Sequence, residues 1–401
     1  MNAFRKNVSL NNFIFGRFDP QKRFVCQKLL KRSNYISNYV EYCKTRPLNR
    51  ALVSYLPKPL LPTKYKRDKI RFSNFGIAQH IPRALNELGY SVDIISFDDM
   101  DFIPKKNYDL FIGHGGINFE QLSRALPNHT TQIYFSTGIY WKEFNQKEAR
   151  RIYDLACRKG YLLNPDRAII HDEEYANQKA HGIIVLGNQN AVNSYHKFPV
   201  IFGINNAVYP VDWNGNSDKD FDAGRKHFLF FSGSGSIHKG LDLLIEAFKG
   251  LDLHLHICQG IDPDFMRVYK AELTQQENIH LYGKIPMRSS EFESLVMKCN
   301  WVISATACEG QPGATLECMA YGLIPILTIE SNIDIKNLGF LLYDSSVSQI
   351  RQSVIHISET EINVCRDLSE RNIKKIDHSY SPMNFITNFI TAVKNIIMLN
   401  Q

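Results

Sequence analysis

Within the stretch CEGQPGATLECMAYGLIPI, Cys308 to Ile326, Glu309 and Glu317 stand eight positions apart, with Gly310, Pro312 and Gly313 just after the first. The glycines free the backbone, and the proline suits a helix start. Exposed N–H groups at such a start attract anions, phosphate above all. A carboxylate in the first turn of the helix can accept two hydrogen bonds from a ribose diol. A carboxylate on the preceding loop faces whatever lies beyond the phosphate. The unit therefore fits a sugar–diphosphate–ribose ligand. A second stretch, FSGSGSIHKGLDLLIEAF (231–248), runs from a strand through a Gly/Ser loop to Lys239-Gly240 at a helix start. Its amides and the Lys239 ammonium can neutralise a diphosphate from the opposite side. The P-loop order is absent, and no third glycine completes a dinucleotide-binding loop, which argues against a dehydrogenase.

Other polar groups read as structural. Asp99-Met100-Asp101 and Asp262-Pro263-Asp264 spell D-x-D at strand ends and are expected as turn and cap residues. Asp172-Glu173-Glu174 reads as the first turn of a helix. His254 and His256 share one face of a strand, with no third ligand near in sequence to make a zinc site. His80 falls in an amphipathic pattern and is expected on a helix surface. His114 ends a strand in DLFIGHGG, beside glycines that would expose it.

The elements that must position these groups alternate. Strands are expected at 49–56, 90–98, 108–113, 131–137, 182–188 and 198–205, with a helix over 75–89. Residues 207–226, rich in Asp, Asn and Gly, break the rhythm as a linker would. Alternation resumes with strands at 227–233, 253–260, 278–285 and 301–306 and in IPILTI and GFLLYD. Helices fall at 240–251, 289–300 and 314–322, and an apolar amphipathic helix over 381–400 ends the chain. Strand–helix alternation implies parallel sheets with helices on their faces. The fold class is therefore α/β with two doubly wound domains, whose ligands lie at the carboxyl ends of the strands and in the cleft between them.

The 401 residues suffice for two cores, and no apolar run approaches the length of a membrane-spanning helix. The polar N-terminus does not read as a secretory signal, and the eight scattered cysteines read as thiols of a reducing compartment. A cytoplasmic protein is expected. Residues 1–72 hold 17 Lys and Arg against three acids, a balance of +14, so the remainder carries −7 of the net +7. A basic arm on an acidic body suits an anionic partner, and equally a solvated surface.

Lys239-Gly240, then Glu309 and Glu317, then MAYG and the turn Gly322-Leu323-Ile324-Pro325 resemble the GT-B glycosyltransferases and, within them, the retaining family 4 of glycosyl transferases group 1. E-x7-E alone is a weak signal; the four elements in order are a strong one. The match covers roughly 227–330, and the first half agrees in outline only. The resemblance implies two Rossmann-like domains facing across a cleft. They comprise a basic extension (1–48), an acceptor domain (49–210), a linker (211–226) and a nucleotide-sugar donor domain (227–380), with helix 381–401 crossing back to the first domain.

The resemblance also implies roles. Lys239 would bind the donor diphosphate, Glu309 and His114 would face the transferred sugar, and Glu317 would bind the ribose. The backbone of Gly310, Gln311, Pro312, Gly313 and Ala314 would hold the phosphates, and Gly283 and Lys284 would border the nucleobase. Asn74 and Phe75 occupy the place of the family's glycine-rich loop. Ser234 stands where the family usually has an arginine. Either the site works with one phosphate cation fewer, or an Arg or Lys from elsewhere supplies it. The implied activity is retaining transfer of a hexose from a UDP-, GDP- or ADP-sugar to a glycan or lipid-linked acceptor in cell-surface polysaccharide synthesis. No cofactor or essential metal and no nucleic acid are expected, with peripheral membrane contact through residues 1–72. An epimerase or phosphorylase on the same fold, or a non-catalytic binding protein, are the alternatives.

Overall fold

The computed structural model describes residues 35–44, 46–60 and 74–400. Most of the basic arm, and with it the expected membrane contact, lies outside the described residues.

The first sheet holds β1 (Tyr35–Tyr39), β2 (Asn49–Tyr55), β3 (Tyr90–Ser96), β4 (Leu110–Gly113), β5 (Thr131–Ser136), β6 (Gly182–Leu186) and β7 (Ile201–Ile204). Their order is β1-β3-β2-β4-β5-β6-β7, parallel throughout except for β1, which runs antiparallel along β3. The second sheet holds β8 (His227–Phe231), β9 (His254–Cys258), β10 (Ile279–Leu281), β11 (Trp301–Ser304), β12 (Ile324–Thr328) and β13 (Phe340–Leu342). Their order, β10-β9-β8-β11-β12-β13, is parallel throughout. β4, β6 and β12 are buried along their whole length, as strands covered on both faces must be. Around residues 21–43 the sequence shows a weak helical periodicity, which the structure overrules at its end. Tyr35, Ser37 and the backbone of Asn38 all bond the Asp93 carboxylate of β3, fixing β1 as an edge strand.

Two helices tie the halves together. Pro382–Leu399, capped by Ser381, lays Phe385, Ile386, Phe389, Val393 and Ile396 into the core of the first sheet. Trp141–Lys159 leaves the first sheet after β5 and buries Phe144 there. Further along it buries Ile152 and Leu155 in the core of the second sheet. Its far end is fixed by ion pairs from Arg158 to Asp242 and Glu246 and from Lys159 to Glu272, while Arg151 Nη2 donates to the Ala305 carbonyl at 2.6 Å.

One reading of a histidine is corrected. His80 is buried between Tyr209 and Phe385, not on a helix surface, and burial pushes its pKa down to about 4. His254 and His256 do gain histidine neighbours, from adjacent strands. His227 stacks on His254 and His256 on His280, each with ring centres 4.7 Å apart. His227 Nδ1 meets His256 Nε2 at 2.9 Å, and His254 Nδ1 meets His280 Nε2 at 3.1 Å. The stacked rings lie within 15° of parallel, so their lone pairs do not converge on one ion, and no metal-holding group occurs among the described residues. The D-x-D residues are turn and cap groups: Asp99 accepts from the Asp101 N–H, and Asp262 caps the helix Pro263–Val268.

Candidate active site

β11 delivers the loop that carries Glu309, and the helix Gly313–Ala320 begins four residues later. Opposite, the loop after β8 delivers Lys239 just before the helix Leu241–Phe248. The Lys239 ammonium and the Glu309 carboxylate form an ion pair. Burial pushes the Glu309 pKa up, but the charges of Lys239 and Arg167 outweigh it and hold the carboxyl well below the usual range. Glu309 is ionised at neutral pH.

The pair faces a cavity of about 170 Å³. Lys239, Glu309, the loop Gly310–Thr315, Ser232, Gly233 and Ser304 line it from the second half, and Asn74, Thr137, Arg167, Leu186 and Asn206 line it from the first. The halves meet closely here. A Cβ on Gly310 would sit 2.2 Å from the Thr137 carbonyl oxygen, so only glycine lets the two backbones approach. Gln311 lines the cavity, but its amide is committed to structure: Oε1 accepts from the Asn206 N–H at 2.7 Å, and Nε2 donates to Asn205 Oδ1 and to the Asn332 carbonyl. Pro312, Gly313 and Ala314 are half-buried and present backbone to the space.

The other expected site residues lie elsewhere. Glu317 is buried one turn along its helix, where Arg288 Nε and Nη2 donate to its Oε2 at 3.1 and 2.9 Å. His114 donates its Nδ1–H to the Phe135 carbonyl, 2.8 Å away, beside Tyr55, and burial lowers its pKa. Ser234 is exposed on its loop. Phe75 follows Asn74 into its helix without lining the cavity, and Gly283 and Lys284 lie beyond it, the Lys284 stem against Gly260.

Three groups without a sequence signal complete the site. Arg167 sits in NPDRAII, which has no motif. His238 precedes Lys239, is fully buried, stacks on Phe144 at 4.8 Å and binds the Cys308 carbonyl through Nε2. Burial lowers its pKa to about 4, so it is neutral and its Nε2–H donates to that carbonyl. Glu148 places Oε2 3.9 Å from His238 Nδ1, and burial raises its pKa to about 7. A larger groove of about 1010 Å³ on another face of Trp141–Lys159 contains none of the candidate residues.

Residues 216–375 match the family model described as glycosyl transferases group 1. No curated protein matches the chain. Among solved structures, sucrose-phosphate synthase from Thermosynechococcus elongatus aligns over 88% of this chain and 100% of its own, with a TM-score of 0.60 and 13% identity. Anabaena HepE in complex with UDP aligns over 87% and 100%, with a TM-score of 0.53 and 11% identity. A variant of S. aureus TarM, in complex with Fondaparinux, alpha-GlcNAc-glycerol and UDP, aligns over 72% of this chain and 55% of its own, with a TM-score of 0.52 and 15% identity. The chain thus spans about half the length of TarM. At such identities the likeness is one of fold. The chain has the GT-B fold, and its residues 216–375 match the model of glycosyl transferases group 1.

Proposed function

We propose that the protein is a retaining glycosyltransferase that moves a hexose from a nucleotide-diphosphate sugar to a glycan or lipid-linked acceptor. The observation that carries this reading is the Lys239–Glu309 pair, set between a Gly/Ser loop and a helix N-terminus at the carboxyl ends of the second sheet. HepE and the TarM variant, both solved with UDP, favour a nucleotide donor on this fold.

In this reading the diphosphate lies on the amides of Gly310–Ala314 and against Lys239, which stabilise the charge that grows as the sugar departs. The departing phosphate itself assists the incoming hydroxyl on the same face, so no base-plus-nucleophile pair is required. Glu309, kept ionised, orients the sugar hydroxyls. Glu317 holds the ribose; both of its contacts with Arg288 use Oε2, which leaves Oε1 outside that pair. The 170 Å³ cavity is smaller than the roughly 300 Å³ at which ligand pockets begin, so a whole donor requires the halves to shift relative to each other and close again. Glycan synthesis at a membrane surface fits the basic arm, although no described helix is long and apolar enough to cross a membrane.

The test is thermal stabilisation by UDP, GDP, ADP and their sugar conjugates, followed by product analysis with candidate acceptors. At 100 times its dissociation constant a ligand adds about 2.7 kcal/mol. A response to one base, with transfer and retained anomeric configuration, is expected. No response to any of them overturns the donor site. Binding without transfer or sugar release favours the non-catalytic reading, which the serine at 234 supports.

A further inference from the structure

The loop after β8 carries Ser234 where the family resemblance implies an arginine, and the structure brings another arginine to the same cavity from the other half of the molecule. Arg167 lines the cavity together with Lys239 and Glu309. Its stem crosses Gly235, the neighbour of Ser234: a Cβ at 235 would lie 2.8 Å from Arg167 Cγ and 3.0 Å from Cδ. Its Nε is buried and has no hydrogen-bond partner. Its charge reaches Glu309 and helps keep that carboxyl ionised.

The position of Arg167 is fixed from below. Glu148 Oε1 accepts from the Arg167 N–H at 2.8 Å, and Asn145 exchanges two 2.8 Å hydrogen bonds with the backbone of Ile169. Both belong to Trp141–Lys159, the helix whose far end is held in the second core. Arg167 is therefore built on the first half but registered to the second. Lys239 is already neutralised by Glu309. A half-buried arginine whose Nε is buried and unpaired beside that pair favours an anion, and a planar fork suits a phosphate better than an ammonium does.

We propose that Arg167 supplies the second cation for the donor diphosphate, replacing from the first half the arginine that Ser234 displaces. The diphosphate then bridges the two halves, between Lys239 on one side and Arg167 on the other. This rests on the donor reading above. The alternative role, a second counter-charge for Glu309 alone, makes no contact with the ligand.

The test is calorimetric titration of the full chain with inorganic pyrophosphate, UDP, GDP and ADP. Arg167→Met keeps the stem on Gly235 and removes the charge. It is expected to weaken the diphosphate that binds by about ten- to a hundredfold. Adding Ser234→Arg to that variant is expected to restore much of the loss, which a merely structural role would not allow. Wild-type binding that Arg167→Met leaves unchanged overturns this proposal and leaves the donor reading standing. A loss in Arg167→Met that Ser234→Arg fails to recover, with a lowered melting temperature in the absence of ligand, assigns Arg167 to structure and overturns it too. A wild-type protein that binds none of the four probes overturns both.

Discussion

Lys239 and Glu309 hold each other in place, and their variants should separate two tasks. Glu309→Gln removes the charge that orients the sugar and frees Lys239 for phosphate. Turnover should fall by about 10²–10³-fold, while calorimetry shows diphosphate binding retained or tightened. Lys239→Ala should lose both and also strand a buried carboxylate, costing about 3–5 kcal/mol in chemical denaturation. A Glu309→Gln variant with full turnover would remove Glu309 from the chemistry. These two residues were legible because their motifs are local: a strand end, a loop and a helix start, each within a few positions. Arg167, His238 and Glu148 were not, because their meaning lies in which distant residues they meet. Glu317 was legible as a carboxylate at helical spacing, but its pairing with Arg288, from a loop 29 residues earlier, was not.

At the scale of the element, the strands announced themselves as short apolar runs, and all twelve that the sequence suggests occur, with narrower bounds. The helix Trp141–Lys159 did not. Its sequence, WKEFNQKEARRIYDLACRK, is crowded with charge, and only Phe144, Ile152 and Leu155 among its apolar residues are buried. Lys147, Arg158 and Lys159 make ion pairs across the halves, a use that periodicity does not register. Edge strand β1 was missed for a related reason: it is held by polar bonds to Asp93, not by an apolar stripe. Two predictions belong here. Gly310→Ala places a Cβ against backbone that no rotamer change relieves, and should cost about 1–3 kcal/mol in denaturation experiments. An unchanged midpoint would mean the two loops do not touch in solution.

The second prediction concerns the histidine ladder on β8, β9 and β10. Burial lowers the pKa of His227 to about 4 and those of His254, His256 and His280 below their ordinary values, with Lys226 and Lys298 adding to the effect, Asp252 opposing it at His254, and Tyr282 bonded to His256. The unfolded chain therefore binds more protons between about pH 6.5 and 4, and stability must fall as pH drops through that window. The loss should be on the order of 1–2 kcal/mol between pH 7 and 5, after allowance for solvent screening. Melting curves across this range should flatten in His227→Asn. A profile as steep in the variant as in the wild type would assign the slope to other groups.

At the scale of the molecule, two α/β units were legible from the restart of alternation after residue 226, and the crossing of the last helix was implied by the family resemblance, whereas the attachment through Trp141–Lys159 was not legible. Nothing in a hydrophobic pattern says that a helix of one unit completes the core of the other. Leu155→Ala should therefore destabilise the second half, by about 2–5 kcal/mol, although it precedes that half in sequence. Residues 207–400 expressed alone should be poorly soluble or molten by near-ultraviolet dichroism, because the surface that Ile152 and Leu155 cover would be exposed. A well-packed fragment would show that the helix is an accessory.

That shared helix also limits how the cleft can breathe. A rod clamped at both ends resists being pulled apart but turns readily about its own length. The two sheets would then admit a donor by swivelling around Trp141–Lys159 rather than by gaping. Residues near that axis, Arg167 among them, would travel least, so the phosphates would be met by a fixed post while the sugar and base ends of the ligand swing into place.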